Sequence, residues 1–548
     1  MAKESELELK NFSLIYPDEA SLERHYESKD RPDISDFVSD ELGLSEIFNL
    51  KNGSLADFFT VDQKVIEYRA ETFQDMLDNP GLIKTLNNLL PILNDIMELR
   101  RLEADSGDTN DYLSSITEIE LYISSVDTLD DGLNSVRDGI KGAGFRRLLD
   151  YISELAESDY YSELNERLFE LTKRVRDIRS VTVGVNLDAQ LRPAEAGVLS
   201  INPEQFRSGD VIEKILRLNF KNDEYTCIAS LVPFGKKESE NRKAALSNAF
   251  NSAINEVYRS SLRSWKKIIQ QYVLEKTDFL LNLVPEIEFL IKGTRLMQQL
   301  KERGYSLCYP EIAPASECAF EAYGLYNPQV ALKIGDEIVP NDLVFDDKAR
   351  IYVLSGPNRG GKSVITCALG IAQAMMQLGL PVPAERARIS PADGIFTHFP
   401  TGADDTIDKG RLGEECARLG QIFERVTEHS LVLLDESLSS TGAFEASYIA
   451  AEVLEGFSAA GCRTLFSTHL HELSAFIPEI NARSAEYGGK PIDTLVAGMD
   501  SGKRSFRIYR TKPDGKSYAR DIAYKYGLSH DSIISKINSQ KTGPDMNG

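Results

Sequence analysis

The run Gly356-Pro357-Asn358-Arg359-Gly360-Gly361-Lys362-Ser363 constrains this chain more than any other stretch. It has the spacing GxxxxGK[ST], follows the short apolar run ARIYVLSG (349–356) and precedes ITCALGIAQAMMQLG (365–379). That order predicts a buried strand, a tight loop and a buried helix. Glycines at these positions let backbone N–H groups close around phosphate oxygens, where a β-carbon would collide. Lys362 supplies a point charge for the β- and γ-phosphates, and the Ser363 hydroxyl suits Mg²⁺. The helix N-terminus adds its partial positive charge. All eight residues are therefore candidate ATP contacts, with Ser363 also a candidate metal ligand.

Two further motifs give the loop its chemistry. Leu431-Val432-Leu433-Leu434-Asp435-Glu436 reads as a buried strand ending in two carboxylates. Adjacent acids at a strand end are often only solvated loop residues. Some 70 residues after a phosphate loop, Asp435 suits the magnesium shell and Glu436 suits orienting or deprotonating an attacking water. The run CRTLFSTH (462–469) is a second buried strand, and its terminal His469 is the candidate to face a γ-phosphate. With the helix pattern EASYIAAEVLEGFSAAG (445–461) between them, strands alternate with helices, which implies a mostly parallel sheet.

Upstream the texture differs. From about residue 30 to 180 the pattern is helical, and Leu164, Leu168, Leu171, Val175 and Ile178 make one stripe. VTVGVNLDA (181–189), AGVLSIN (196–202), RLNF (217–220) and YTCIASLVPF (225–234) then read as strands, with Pro193, Pro203 and Gly209 as breaks. Helix returns at about 239 and runs to about 303, with Ile254, Val257, Leu262, Trp265, Ile269 and Tyr272 on its stripe. Two long helices carrying a small β unit at their far end fit this order. So does a plain helical domain with a β-hairpin excursion.

A length of 548 residues implies two to four domains. With 62 Lys+Arg against 85 Asp+Glu the formal charge is −23, which argues against a surface that coats nucleic acid throughout and against a polybasic membrane binder. The six cysteines form no CxxC pair, so structural zinc and a disulfide framework are not expected. The N-terminus lacks an apolar signal core, and no stretch is long and apolar enough to span a bilayer. A soluble protein of a reducing cytoplasm is the expectation, with no membrane partner.

These motifs together resemble the MutS family of DNA mismatch-recognition ATPases. GPNRGGKS is close to that family's GPNMGGKS, VPAERARISPADGIFT (382–397) to its VPA…I.P.D.IFT stretch, and GADDTIDKGR (402–411) to its GA.DD…GR segment. SLVLLDES (430–437) and STHLHEL (467–473) match its Walker B and histidine-switch regions, and DGKSYARDIAYKYGL (514–528) its SYG..VA..AG run. TVDQKVIEYRAETFQDML (60–77) and YSLCYPEI (305–312) resemble segments of the core domain and of the approach to the ATPase. The resemblance implies a multidomain α and α/β fold. A helical core and outgoing lever (1–180) is followed by a β-rich clamp-like insertion (181–238) and a returning lever helix (239–304). An ABC-type P-loop ATPase domain (305–530) and a polar tail (531–548) complete it.

The departures are specific. A mismatch-reading domain is not expected before residue 30, where no Phe-x-Glu wedge is found, and the family's connector domain is not expected either. The family's GRSTF, which reaches the partner's nucleotide, is replaced by Gly410-Arg411-Leu412-Gly413-Glu414, so a trans contact would come from backbone amides or Arg411. Lys173, Arg174, Arg176 and Arg179 end the outgoing helix, and Lys236, Lys237, Arg242 and Lys243 begin the returning one. They are candidate phosphate contacts for DNA; a solvated helix face is the alternative, since Asp177, Glu238 and Glu240 interleave. The expected function is a homodimeric, ATP-gated clamp on duplex or branched DNA in repair or recombination, with ATP hydrolysis and without mismatch reading. A structural ATP-binding protein of SMC/Rad50-like logic, hardly touching DNA, is the alternative.

Overall fold

The computed structural model describes residues 12–106, 112–176, 180–191, 193–202, 232–233, 274–334, 338–346, 348–357, 359–400, 410–470, 472–500, 503–512 and 528–541. The chain divides into two compact units, one of Met1–Glu19 with Gln74–Ile291 and one of Ala20–Phe73 with Lys292–Gly548.

The first unit is built on helix pairing. In the helix Pro80–Ser106, Leu82, Leu86, Leu89, Leu93 and Ile96 recur at four- and three-residue steps, and all are buried. The helix Tyr112–Asn134 answers with buried Ile119, Tyr122, Val126, Leu129 and Leu133, and the two stripes lie against each other. The helix Ala143–Glu157 begins where Asp75 accepts from the backbone N–H groups of Lys141 and Gly142, at 2.9 and 2.8 Å. The helix Asp159–Arg176 buries Leu164 and Leu168 of the expected stripe; Ile178 lies outside the described residues.

Strands β1 (Ser180–Leu187) and β2 (Pro193–Asn202) then form an antiparallel hairpin, joined by β3 (Val232–Pro233). Pro193, expected as a break, opens β2 instead, a position where its missing N–H costs the ladder nothing. The expected strand at 217–220 and the returning helix from 239 to 273 lie outside the described residues. The remainder of that helix is two helices, Leu274–Asn282 and Val284–Glu302. Pro285 explains the break at Leu283: its ring clashes with the carbonyl four residues back and it has no N–H to donate.

In the second unit, β4 (Glu311–Ile312), β5 (Phe320–Leu325), β6 (Asn341–Phe345) and β8 (Arg386–Ile389) make a four-stranded sheet ordered β4-β8-β5-β6. The larger sheet holds β7 (Ile351–Ser355), β9 (Ile395–His398), β10 (Leu431–Asp435), β11 (Arg463–Ser467), β12 (Ile492–Asp500) and β13 (Lys503–Arg510). Its order is β13-β12-β7-β11-β10-β9, parallel except for the antiparallel edge strand β13. Every residue of β7, β10 and β11 is buried, as expected of parallel strands covered on both faces. The helix Lys362–Gln377 covers one face, and Ala443–Ala460, with its buried Leu454, packs with Leu473–Glu486 over buried Val353, Val432, Leu434 and Phe466.

Candidate nucleotide site

The order of the large sheet sets the carboxyl ends of β7, β11 and β10 side by side, with Ser467 level with both Leu354 and Asp435. Loops that leave such adjacent strand ends form the usual ligand crevice of an open α/β sheet. The Gly356–Ser363 loop leaves β7 here. Gly356 has φ +137, and a β-carbon on it would lie 2.8 Å from the Ala497 β-carbon. A β-carbon on Gly360 would meet the Pro357 carbonyl at the same distance. Lys362 is 4% exposed, and its ammonium donates to the carbonyls of Gly356 (3.2 Å) and Pro357 (3.3 Å). Burial pulls its pKa below the ordinary lysine value, while Glu436 and Asp435 push it back up. Ser363 is exposed at the start of the helix. Asn358 lies outside the described residues.

From the neighbouring strand ends come the acids. Asp435 is buried and accepts a hydrogen bond from the Ser467 hydroxyl; the Glu436 N–H donates to the Ser467 carbonyl at 2.8 Å. Glu436 and Leu438 have φ +48 and +62, so the chain turns sharply out of β10. His469, two residues past β11, is exposed and does not line the cavity formed here. One turn into the loop's helix, burial pushes the partly buried Cys367 thiol up to about 12.

His398, buried at the end of β9, was not singled out in the sequence. Its Nδ1 is 2.7 Å from the Ser437 hydroxyl and its Nε2 3.2 Å from the Glu415 carbonyl. A carbonyl can only accept, so Nε2 carries the proton; in the neutral ring Nδ1 is then the acceptor for the Ser437 hydroxyl, which also lies within 3.1 Å of the His398 carbonyl. Burial, helped by Arg418, lowers the His398 pKa to about 4 and keeps the ring neutral.

Beside the loop lies a cavity of about 560 Å³, lined by the largely apolar Tyr326, Val330, Ile334, Val339 and Phe506 and by Arg359, Lys362, Ser363 and Glu436. Its apolar wall carries no motif, which is why sequence reading missed Phe506. Asn341 ties that wall together: its Nδ2 donates to the Phe506 carbonyl (3.1 Å) and its Oδ1 accepts from the Ile508 N–H (2.7 Å). Gly410–Glu414 forms the first turn of the helix Gly410–Phe423, with Arg411 exposed. Lys173, Arg174 and Arg176 end the helix Asp159–Arg176, but their side chains, like all of Arg179, Lys236, Lys237, Arg242 and Lys243, lie outside the described residues.

Residues 352–486, which hold the Gly356–Ser363 loop and the ends of β10 and β11, match the model of MutS domain V, and residues 61–303 match that of the MutS2 N-terminal domain. The chain belongs to the MutS family. Among MutS-family relatives it is 40% identical over 149 residues to the DNA mismatch repair protein Msh6 of Gallus gallus, covering 25% of this chain and 11% of the relative. It is 36% identical over 171 residues to the DNA mismatch repair protein MutS of Fervidobacterium nodosum, covering 31% and 20%. With that of Prochlorococcus marinus strain AS9601 it shares 27% identity over 395 residues, covering 70% of this chain and 40% of the relative. The matched stretches thus span well under half the length of these MutS proteins. The match to the MutS2 N-terminal model makes the upstream part MutS2-like.

Proposed function

We propose that this chain is an ATP-dependent DNA-binding protein, working as a homodimer whose ATPase domains close on nucleotide. The observation that carries the reading is the meeting of a phosphate loop, two acids and an apolar cavity at three adjacent strand ends. The loop amides and Lys362 bind the phosphates, and the cavity wall with Phe506 takes the base, which an aromatic ring can stack against. Asp435 and the Ser363 hydroxyl are hard oxygen donors, and among the described residues no cluster of three His, Cys, Asp or Glu side chains stands ready for a metal. That donor set fits Mg²⁺, which keeps waters and shares substrate phosphates instead of filling an all-protein cage. Mg²⁺ would neutralise charge on the phosphate oxygens. Glu436 holds and deprotonates the attacking water, and His469 approaches the γ-phosphate when the site closes.

The DNA mismatch repair relatives support DNA as the partner. In this reading the helices of the first unit up to residue 180 form the core and outgoing lever, 181–238 the clamp, 239–304 the returning lever and 305–530, with residues 20–73 beside it, the ATPase domain. Lys173, Arg174, Arg176, Arg179, Lys236 and Lys237 meet duplex or branched DNA through its phosphates, and the amides of Gly410–Glu414 or Arg411 reach the partner's nucleotide. No described helix is long and apolar enough to cross a membrane; the proposed setting is cytoplasmic.

A paired measurement tests the site. Lys362→Ala is expected to abolish ATP binding, and Glu436→Ala to keep binding but lose at least ~10²-fold in turnover. Wild-type ATP affinity in Lys362→Ala would remove the assignment.

A further inference from the structure

Two cations belong to the phosphate loop, and they are held very differently. Lys362 is buried and tied to the carbonyls of Gly356 and Pro357. Arg359 is exposed on the rim of the loop, lines the cavity, and among the described residues its guanidinium has no hydrogen bond or ion pair. Its backbone sits at φ +60, a conformation that a β-carbon disfavours. Eight non-glycine residues among those described have a positive φ, and three of them, Arg359, Glu436 and Phe506, line this one cavity. Backbone strain of this kind persists where the surroundings impose it and gathers at ligand clamps. A glycine would fit the same turn without strain, so the arginine side chain is there at a cost to the fold.

The chemistry of the two cations differs as much as their setting. An ammonium is a point charge, whereas a guanidinium presents a planar fork that matches two oxygens of one phosphoryl group. The loop amides and Lys362 enclose the phosphates inside the loop. A cation on the rim of the same cavity as Glu436 faces the group that projects furthest from the loop, which is the terminal phosphate.

We propose that Arg359 grips the terminal phosphoryl group and makes the site read a nucleoside triphosphate against a diphosphate. This rests on the phosphate-loop reading above, and the experiment separates the two. With the full chain and Mg²⁺, the affinities of ADP and of the β,γ-imido analogue of ATP are measured for wild type and for Arg359→Gln, Arg359→Lys, Arg359→Gly and Lys362→Ala. No hydrolysis is needed. Arg359→Gln should weaken the triphosphate analogue by about 10- to 100-fold, the size of a lost charge-assisted contact, and leave ADP within about twofold. Arg359→Lys should fall between, since it keeps the charge and loses the fork. Arg359→Gly should lose the same preference while its thermal midpoint rises, which shows a folded, less strained loop. Equal weakening of both nucleotides, or no change in either, overturns the proposal. Lys362→Ala binding both nucleotides like wild type would instead overturn the phosphate-loop reading itself.

Discussion

His398 joins two strand ends through one imidazole, and its environment makes it sensitive to acid. The folded pKa is about 4 against an ordinary 6.5. Between those values the unfolded chain takes up a proton that the folded chain refuses, so stability falls as pH drops from 6.5 to about 4 and flattens below. Above pH 6.5 the contribution is complete. The difference is worth roughly 3 kcal/mol. His25, likewise lowered to about 4, acts in the same direction. Urea unfolding of wild type and His398→Gln at pH 7 and 4.5 isolates the one ring: the variant should lose up to about 3 kcal/mol less over that interval. An equal loss in both proteins would mean that His398 is not held neutral. None of this was legible in the sequence, where a histidine after IFT carries no pattern. Asp435 and Glu436 were legible because an unbroken apolar run delivers them.

At the scale of elements, parallel strands announce themselves. LVLLD and RTLFS are continuous apolar or β-branched runs because both their faces are covered, and each falls within the stretch the sequence predicts. The polar stitches between the elements gave no such signal. Arg463, wholly buried at the start of β11, donates to the Ala319 carbonyl (3.0 Å), the Gln373 side chain (3.2 Å) and the His429 carbonyl (3.2 Å). Burial lowers its pKa to about 10, so it stays charged at neutral pH. Gln373 in turn donates to Gln377 (2.9 Å) and to the Ser390 carbonyl (3.0 Å), so the helix after the phosphate loop is fastened to both sheets. Arg463→Met strands several buried acceptors and should cost roughly 2–4 kcal/mol by urea denaturation. A change under 0.5 kcal/mol would show that methionine packing replaces the network. The cavity wall was equally hidden, since Asn341 and Phe506 meet only through the fold.

For the whole molecule, the surprise is where residues 20–73 belong. They sit with the C-terminal unit: the Asp33 N–H donates to the Asp393 carbonyl at 2.7 Å, and Gln377 donates to the Thr60 carbonyl at 3.3 Å. Contacts so distant in sequence leave no periodicity to read. The proposed DNA interface belongs to this scale as well, because a chain of charge −23 must concentrate its cations to hold phosphates. Converting Lys173, Arg174, Lys236 and Lys237 together to Ala should flatten the slope of log K against log salt by up to ~3 to 4, at about 0.9 per phosphate contact, with ATP affinity unchanged. A folded, ATP-binding variant with the wild-type slope would place DNA elsewhere.

Cys367 gives the nucleotide site a property of a different kind. Sulfur is attacked by oxidants as the thiolate, and a thiol at about 12 is ionised at neutral pH in only about one molecule in 10⁵. A cysteine one helical turn from Ser363 could have made nucleotide binding answer to peroxide. The same burial that seats the helix disfavours the thiolate there, and with it the form of the sulfur that oxidants attack.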